Sequence, residues 1–315
     1  MHLSTILLTT LSVLTSSFEL IPAVFTPFTE DGSIDYPKIE PYSTFLKEQQ
    51  NISTVFISGT NGESLSLSLE ERKRLTDEWA QTSSNVIVMV SSESIVDSVE
   101  LSSYVKTVSE TNSNIISVAA MSSSFFKPST AQDLVDYLKP MAEAAAPLPF
   151  RYYHIPSMTG VSIDMIEFQD LVEDQIDTFV GIKYTDTDLF TLRKLILNKG
   201  EGVEHFWGKD EILITGIATG ATSAVGSTYN FMGRTGYDIV NAFLTADLPS
   251  AQSQQDKIVN VVSSWGNLGG IPAQKAIMQM VGMDLGRGVR TPNRALTDEE
   301  YDDLEEKLKE VGFFD

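Results

Sequence analysis

The sequence predicts an α/β fold, a TIM (β/α)8 barrel followed by a C-terminal helical extension. Two observations lead to this prediction: eight short apolar runs alternate with amphipathic stretches, and each run is continuously apolar. Continuous apolar runs are typical of strands covered on both faces, as in a parallel sheet. Eight alternating units fit a closed barrel. An open doubly wound sheet is the alternative, but no glycine-rich first turn supports it.

The eight predicted strands are short and rich in β-branched residues, as expected for strands. Their ranges are 20–25, 53–58, 85–91, 114–120, 149–155, 177–184, 203–207 and 222–227. After the last run the pattern is helical and contains no convincing strand. We therefore divide the chain into a leader or signal peptide at 1–18, a barrel at 19–234 and a C-terminal helical extension at 235–315.

Capping boxes mark the starts of several predicted helices. In a capping box, a serine or threonine is followed three residues later by an acidic residue or glutamine. Three pairs fit this pattern: Ser68 with Glu71, Ser129 with Gln132, and Thr297 with Glu300. Pro140 lies in the helix predicted after Ser129, and we expect it to kink or end that helix because proline has no backbone N–H.

Composition excludes several classes of function. The 315 residues carry a formal net charge of −21, which argues against nucleic acid and anionic membranes as partners. Because the chain has no cysteine, it has no disulfide, thiolate metal site or cysteine nucleophile. The three histidines, His2, His154 and His205, form no pair at helical spacing, so we expect no metal site.

The first 17 residues allow two interpretations. Thr15 and Ser17 are spaced like a signal-peptidase site after an apolar stretch, which would make the protein secreted. The first basic residue is Lys38, however, so a signal peptide's basic start is missing, and a plain leader on a cytoplasmic protein fits equally well. A glycosylation sequon starts at Asn51, although such triplets often arise by chance.

A lysine lies inside the apolar run of the sixth predicted strand, "FVGIKY". Lysine is rarely buried unless it is paired or functional. Alternation places Phe179, Gly181 and Lys183 on one face, which we expect to point into the barrel, with Gly181 leaving space beside the lysine. Burial favours the neutral form of an amine, and a neutral amine can attack a ketone. A paired lysine, or one reaching solvent, is the alternative.

The fifth predicted strand, "PFRYYHI", carries Tyr153 near its end. Alternation puts Tyr153 on the same face as Arg151 and Ile155, so we expect it to point into the barrel beside Lys183. A phenol in that position can move a proton during catalysis. A core tyrosine with a satisfied hydroxyl is the alternative.

Polar loops follow predicted strands 2, 7 and 8, at the barrel end where reactive residues are found. In "SGTNGES", two glycines bracket Thr60 and Asn61, and such a turn can aim N–H groups at a carboxylate. The loops "WGKDE" and "GSTYN" offer Asp210, Glu211 and Ser227 as polar contacts. Taken alone, each loop can equally be an ordinary turn or helix N-cap.

Three of these segments together resemble a known family. In chain order, "GTNGES", "YYHIP" and "GIKYTD" are similar to motifs of the N-acetylneuraminate lyase and dihydrodipicolinate synthase group of pyruvate-dependent class I aldolases. The resemblance runs from about residue 20 to the C-terminus. The synthases usually have an arginine shortly after the tyrosine motif, where this chain has Met158. The segments "WGKDE", "GSTYN" and "QKAIM" resemble the sialic acid lyases of the group.

The resemblance implies a carbon–carbon lyase that needs no metal or external cofactor and is usually a homotetramer. Lys183 would form a Schiff base with the substrate ketone, and Tyr153 would accept the proton of the C4 hydroxyl. The implied substrate contacts are Thr60 and Asn61 at the carboxylate, Thr185 near the scissile bond, and Gly208, Asp210, Glu211 and Ser227 at the glycerol-like tail.

The chain departs from the family pattern at three places. Asn61 stands where relatives usually have threonine, and its amide can still donate a hydrogen bond. Phe125 and Phe126 stand where many relatives place a tyrosine that reaches into a neighbouring subunit, which favours a lyase over a synthase. Arg151 is the third departure. It either disfavours the ammonium form of Lys183 or pairs with a core carboxylate such as Glu63, and we favour the pairing.

Two other functions remain open from the sequence. One is a different pyruvate-dependent aldolase acting on 2-keto-3-deoxy sugar acids. The other is a non-catalytic relative that binds a sugar acid. The second alternative predicts that the lysine–tyrosine pair is broken, but both Lys183 and Tyr153 are present.

Overall fold

The computed structural model describes residues 18–82 and 84–315. It contains eight strands, all in one sheet: β1 Glu19–Pro22, β2 Thr54–Ile57, β3 Asn85–Met89, β4 Ile115–Met121, β5 Phe150–His154, β6 Phe179–Tyr184, β7 Phe206–Trp207 and β8 Ser223–Gly226. Neighbouring strands are parallel, in the order β1-β8-β7-β6-β5-β4-β3-β2. The Val24 amide donates to the Phe56 carbonyl at 3.1 Å and closes the ring. The predicted barrel is confirmed.

Helices alternate with the strands and then continue alone. They are α1 Ile39–Gln50, α2 Leu69–Ala80, α3 Ile95–Ser109, α4 Ala131–Ala145, α5 Pro156–Thr159, α6 Met165–Gln175, α7 Leu189–Asn198, α8 Leu213–Thr219, α9 Tyr229–Leu244, α10 Leu248–Ser264, α11 Gly270–Met280 and α12 Asp298–Glu310. No helix in the described ranges is long and apolar enough to cross a membrane. Residues 1–17 of the leader predicted at 1–18 lie outside the described residues.

Two of the three predicted capping boxes are confirmed, at Ser68 and Thr297. The prediction at Ser129 is wrong, because α4 is capped one residue later by Thr130. Thr130 Oγ1 accepts the amide of Asp133 at 3.1 Å, and the Asp133 carboxylate accepts the amide of Thr130 at 3.0 Å. Pro140 does not end α4, whose last turn is kept in place by buried residues on both sides of the proline.

An irregularity in β6 changes the predicted side-chain faces. Phe150 lies opposite Phe179, but Arg151 lies opposite Gly181, so Val180 is an extra residue on β6. Phe179 therefore points outward and packs on Phe168 of α6, and its predicted place on the inward face is wrong. Beyond the irregularity the register is regular again.

The barrel has an inner and an outer core. The outer core fills the space between strands and helices. The inner cluster is small and includes a tyrosine: Ile21, Ala23, Phe56, Ile87, Met89, Ala119, Met121, Tyr153, Ile155, Phe206 and Val225. Because this cluster closes the inside of the barrel below the loops, polar chemistry is confined to the carboxyl ends of the strands.

The helices after β8 pack back onto the barrel. Helix α9 runs through position 235, the predicted start of the extension, and it packs on α10, α1 and β1. From α10, Gln255 donates to the carbonyl of Asp210 at 3.0 Å. From α11, Lys275 donates to the carbonyl of Thr26 at 2.8 Å. The last helices therefore support loops at the carboxyl ends of the strands.

Candidate active site

Lys183 points into the barrel and contacts Tyr153. The two residues lie opposite each other in the register of β5 and β6. Lys183 Nζ is 3.8 Å from the centroid of the Tyr153 ring and 4.6 Å from that of Phe56. Only 5% of Lys183 is exposed. The predicted lysine–tyrosine contact is present, and ring faces rather than a carboxylate pack against the amine.

The turn after β2 holds polar donors in a strained backbone. Ser58 and Glu63 have left-handed φ angles of 54° and 55°, which is uncommon for residues other than glycine. Ser58 Oγ and Asn61 Nδ2 are buried without a hydrogen-bond partner among the described residues. Backbone strain and unpaired buried donors are both typical of ligand-binding turns. Sequence reasoning selected Thr60 and Asn61 but missed Ser58.

Gly59 connects this turn to the lysine. A β-carbon on Gly59 would lie 3.0 Å from the Phe56 ring, and that ring is also in contact with Lys183. The backbone of the turn therefore rests on the same ring as the amine. Thr60 and Asn61 are half-buried at this end of the barrel.

Thr185 and Gly208 lie together after β6 and β7. The Thr185 amide donates to the carbonyl of His154, and the Gly208 amide donates to that of Tyr184. A β-carbon on Gly208 would lie only 1.9 Å from Thr185 Oγ1. Within the described residues, this buried hydroxyl has no hydrogen-bond partner. Gly208 thus makes room for a hydroxyl that is available to a ligand.

Asp210 is buried behind β8. Its Oδ2 accepts hydrogen bonds from the backbone N–H and the hydroxyl of Thr228, at 2.6 and 2.7 Å. Burial raises the pKa of Asp210 to about 6. The hydrogen bonds from Thr228 and the charge of Lys183 act in the opposite direction. Asp210 is therefore close enough to the amine to interact with its charge.

Glu211 and Ser227 occupy the same end of the barrel and are half-buried. Glu211 Oε1 lies 3.5 Å from Lys209 Nζ. The carbonyl of Ser227 accepts a hydrogen bond from Asn230 Nδ2 at 2.7 Å. Asn230 also donates to the carbonyl of Ala23, so it fixes the loop after β8 against the end of β1.

Arg151 lies below the lysine, toward the amino ends of the strands. Its Nη1 donates to the carbonyls of Val180 and Glu204, at 3.0 and 3.1 Å. Its guanidinium carbon lies 3.9 Å from the centroid of the Phe206 ring. Burial lowers the pKa of Arg151 to about 10, and the charges of Glu204 and Glu19 partly offset this effect.

The predicted pairing of Arg151 with Glu63 is therefore wrong. The irregularity in β6 and the segment before β7 present backbone carbonyls that accept from Nη1 of the guanidinium. The space beside Gly181 is also filled, because a β-carbon there would lie 1.7 Å from the carbonyl oxygen of Glu204.

Glu63 pairs instead with a lysine that sequence reasoning did not select as a site residue. Glu63 Oε1 lies 3.7 Å from Lys275 Nζ, and the side chains of both are almost completely buried. Burial lowers the pKa of Lys275 to about 8, and the charge of Glu63 opposes this effect. A lysine within the apolar helical stretch "QKAIM" is the one signal in the sequence that could have identified it.

Apolar side chains surround the mouth of the site. Phe125 and Phe126 are 78% and 82% exposed and pack edge to face at 4.9 Å. The acidic side chain of Glu93 holds their loop by accepting the amides of Ser124 and Phe125. The exposed Met158 and Thr60 line a neighbouring cavity of about 350 Å³.

The described residues contain no group of three histidine, aspartate or glutamate side chains that could hold a metal ion. His154 Nε2 lies 3.7 Å from an oxygen of Asp186. Burial lowers the pKa of His154 to about 4, with Asp186 acting in the opposite direction. Burial therefore favours the neutral form of the imidazole. His2 lies outside the described residues.

A buried lysine against a tyrosine ring, at the carboxyl ends of a (β/α)8 barrel, is the arrangement that an aldolase acting through a Schiff base requires. Residues 16–311 match the model of the dihydrodipicolinate synthetase family. The chain belongs to the dihydrodipicolinate synthetase family.

Individual relatives and solved structures agree with this family. N-acetylneuraminate lyase of Mus musculus is 37% identical over 301 residues, which cover 93% of this chain and 92% of the mouse protein. The structure of Proteus mirabilis N-acetylneuraminate lyase superposes with a TM-score of 0.88 at 32% identity, covering 94% of this chain and 99% of that one. A dihydrodipicolinate synthase from Bacillus anthracis gives a TM-score of 0.84 at 25% identity, covering 93% and 97%.

Proposed function

We propose that this chain cleaves N-acetylneuraminate to N-acetylmannosamine and pyruvate by a Schiff-base retro-aldol reaction. The contact of Lys183 Nζ with the Tyr153 ring carries this proposal. The two side chains lie on adjacent strands at one level of the barrel, as an amine nucleophile and a proton acceptor for the same substrate would need to. The 37% identity to an N-acetylneuraminate lyase over 93% of the chain supports this substrate.

In the proposed reaction, the Lys183 amine attacks the C2 ketone of the open-chain sugar acid, and water is lost as the imine forms. Tyr153 supplies the proton that the imine nitrogen carries, and its phenolate then takes the proton of the C4 hydroxyl as the C3–C4 bond breaks. The electron pair of that bond moves toward the protonated imine nitrogen and leaves an enamine. N-acetylmannosamine departs, the enamine is protonated at C3, and hydrolysis releases pyruvate and regenerates the lysine.

We assign the pyruvyl carboxylate to the turn after β2. Thr60 and Asn61 would donate hydroxyl, amide and backbone N–H groups to it. The unpaired Nδ2 of Asn61 and Oγ of Ser58 support this assignment, since a bound carboxylate would satisfy buried donors that otherwise lack partners. Asparagine in place of the usual threonine keeps a donor at this position.

The sugar chain would then extend across β6, β7 and β8. The unpaired Thr185 hydroxyl is in place to contact the substrate near the scissile bond. The glycerol-like tail would meet four residues after β7 and β8: Gly208, Asp210, Glu211 and Ser227. In this arrangement Asp210 is held by Thr228 while its remaining oxygen accepts from a tail hydroxyl.

We propose that the protein works as a homotetramer. The exposed, mutually packed Phe125 and Phe126 support an assembly that covers this loop, since apolar pairs of this size are uncommon on a free surface. Light scattering of the purified protein measures the mass directly. A monomer would contradict the assignment.

We propose the cytoplasm as the working compartment, because the leader lacks a basic start. Secretion is the alternative, with residues 1–17 removed as a signal peptide. N-terminal sequencing of the protein from its natural source, together with the glycan occupancy of Asn51, distinguishes the two.

The decisive experiment measures pyruvate release from N-acetylneuraminate by the purified protein and by Lys183→Ala. We expect release by the wild type and none by the variant. Borohydride reduction in the presence of pyruvate should attach the keto acid to Lys183. If the wild type traps pyruvate but does not cleave N-acetylneuraminate, a panel of 2-keto-3-deoxy sugar acids identifies another aldolase. If it neither traps nor cleaves, the chain is a binding protein.

A further inference from the structure

The buried ion pair of Glu63 and Lys275 plays no part in the proposed reaction steps. Glu63 lies at the end of the turn after β2, and Lys275 lies in α11 of the C-terminal extension. Their Oε1 and Nζ atoms are 3.7 Å apart, with side-chain exposures of 1% and 0%. Taking two charges out of water is costly, so an apolar pair would serve better if filling space were the only requirement.

The carboxylate of Glu63 joins two segments that are distant in the chain. Its Oε2 accepts the backbone N–H of Arg290 at 2.8 Å and lies 3.4 Å from Asn293 Nδ2. The Glu63 amide donates to the carbonyl of Thr60 at 3.0 Å. The position of the Thr60 backbone is therefore tied, through one residue, to the segment that follows α11.

Lys275 fixes the other side of the same turn. Its Nζ donates to the carbonyls of Thr26 and Gly288. The hydroxyl of Thr26 in turn donates to the carbonyl of Gly62 at 2.7 Å. Lys275 thus contacts both Glu63 and the residue that holds Gly62. Thr60 and Gly62, which flank Asn61, are therefore both restrained by residues that contact the Lys275 ammonium.

These restraints act on a backbone that local preference would not maintain. Glu63 has a left-handed φ of 55°, and such a conformation persists only where the surrounding structure enforces it. The carboxylate-binding donors of Thr60 and Asn61 lie in the strained segment. A small displacement of aligned donors can weaken ligand binding severely.

We propose that Glu63 and Lys275 are positioning residues through which the C-terminal extension aligns the Thr60–Asn61 turn for the keto-acid carboxylate. This inference rests on the proposed function, because it assigns the turn to the carboxylate. Neither residue touches the reacting carbon atoms. Their effect is on the affinity for a carboxylate-bearing ketone, and the reactivity of the Lys183 amine is left intact.

The test compares two ketones in borohydride trapping on Lys183. Pyruvate carries the carboxylate that the turn would bind, whereas acetone has the same ketone and no carboxylate. For each protein, the labelled fraction is measured by intact mass against ketone concentration. The variants are Lys275→Met and Glu63→Gln, and the matched control is Lys199→Met. Lys199 also donates to a backbone carbonyl, that of Val203, but at the opposite end of the barrel.

We expect both site variants to need about tenfold more pyruvate for half-labelling, with acetone labelling unchanged. The control should match the wild type with both ketones. An equal loss with pyruvate and acetone would mean that the pair only supports folding, and unchanged pyruvate labelling would mean that the turn does not need it. Either result overturns the proposal.

Two further comparisons test the proposal if the charge variants do not fold, and test the proposed function separately. If neither charge variant folds, Thr26→Val removes only the hydroxyl that holds Gly62, and it should show the same selective loss for pyruvate. Equal labelling of Thr26→Val and wild type would then overturn the proposal. The wild type reports separately on the proposed function: if it traps acetone but not pyruvate, the assignment of the turn to a carboxylate fails, whatever the variants do.

Discussion

The α-carbon of Gly226 faces the carboxylate of Asp210 so closely that a β-carbon would lie 1.7 Å from Oδ1. Real β-carbons do not approach oxygen to this distance, so any side chain at position 226 must displace Asp210. The last residue of β8 thus determines where the carboxylate after β7 lies. Position 226 must therefore be glycine if Asp210 is to keep its place among the residues proposed to bind the glycerol-like tail. Gly226 need not touch the ligand itself.

Gly226→Ala should weaken catalysis by displacing Asp210. We expect a fall of about tenfold or more in kcat/KM for N-acetylneuraminate and a loss of about 1–3 kcal/mol in the free energy of unfolding, because overpacking of a buried site is costly. Kinetics and chemical denaturation measure the two effects. Gly270→Ala is the matched control, since the nearest atom to its added β-carbon is 3.5 Å away. Equal behaviour of the two variants would contradict the prediction.

The pH dependence of stability should reveal the buried Asp210. Its pKa is raised from 3.8 to about 6, mainly by burial. Between these two pKa values, Asp210 keeps its proton in the folded protein but releases it in the unfolded chain. Protonation of Asp210 therefore stabilises the folded state below about pH 4, and this stabilisation is lost as the pH rises through about 6. The shift corresponds to about 3 kcal/mol in the free energy of unfolding.

The comparison of wild type with Asp210→Asn isolates this contribution from that of other carboxylates. The free energy of unfolding of the variant, minus that of the wild type, should rise by about 2 kcal/mol from pH 4 to pH 6. Urea denaturation at several pH values measures it. A difference that stays constant over this range would show that the carboxylate titrates normally.

The barrel was predictable from the sequence because burial on both faces imposes a local pattern. Each strand appears as a short apolar run, and the polar loop after it needs no long-range information to be recognised. The position of Lys183 opposite Tyr153 follows from two such strands being neighbours. The lysine–tyrosine contact was therefore accessible from residue patterns alone.

Other features depend on contacts that a local pattern does not contain. The extra residue at Val180 turns Phe179 outward, and alternation alone cannot show an irregularity of this kind. The partner of Glu63 was misassigned for a related reason. Its carboxylate accepts the amide of Arg290, which is 227 residues away. Only the packing of the extension on the barrel brings these groups together.

Arg151→Met should affect stability rather than chemistry. The guanidinium donates to the carbonyls of Val180 and Glu204 and packs on the Phe206 ring, and methionine loses these hydrogen bonds. We expect a loss of about 1–3 kcal/mol in the free energy of unfolding, the usual range for hydrogen bonds from a charged group. The pH profile of Schiff-base formation with pyruvate should stay unchanged, because Arg151 lies opposite Gly181, two residues below Lys183. A shifted profile would instead show that Arg151 tunes the amine.

Tyr153→Phe should separate Schiff-base formation from carbon–carbon cleavage. The phenylalanine keeps the ring that packs against Lys183 Nζ, so borohydride trapping of pyruvate should remain within a few-fold of the wild type. Loss of the phenol removes the proposed acceptor of the C4 hydroxyl proton. We therefore expect pyruvate release from N-acetylneuraminate to fall by about 100- to 10,000-fold.

The control for this variant is Tyr152→Phe, which alters the neighbouring tyrosine on the outward face of β5. Tyr152 packs against Phe168 on the helix side of the strand, so its hydroxyl is not in contact with the proposed reaction. Both variants should trap pyruvate, but only Tyr153→Phe should lose cleavage. If Tyr153→Phe cleaves N-acetylneuraminate at the wild-type rate, another group accepts the proton, and the tyrosine only supports the lysine.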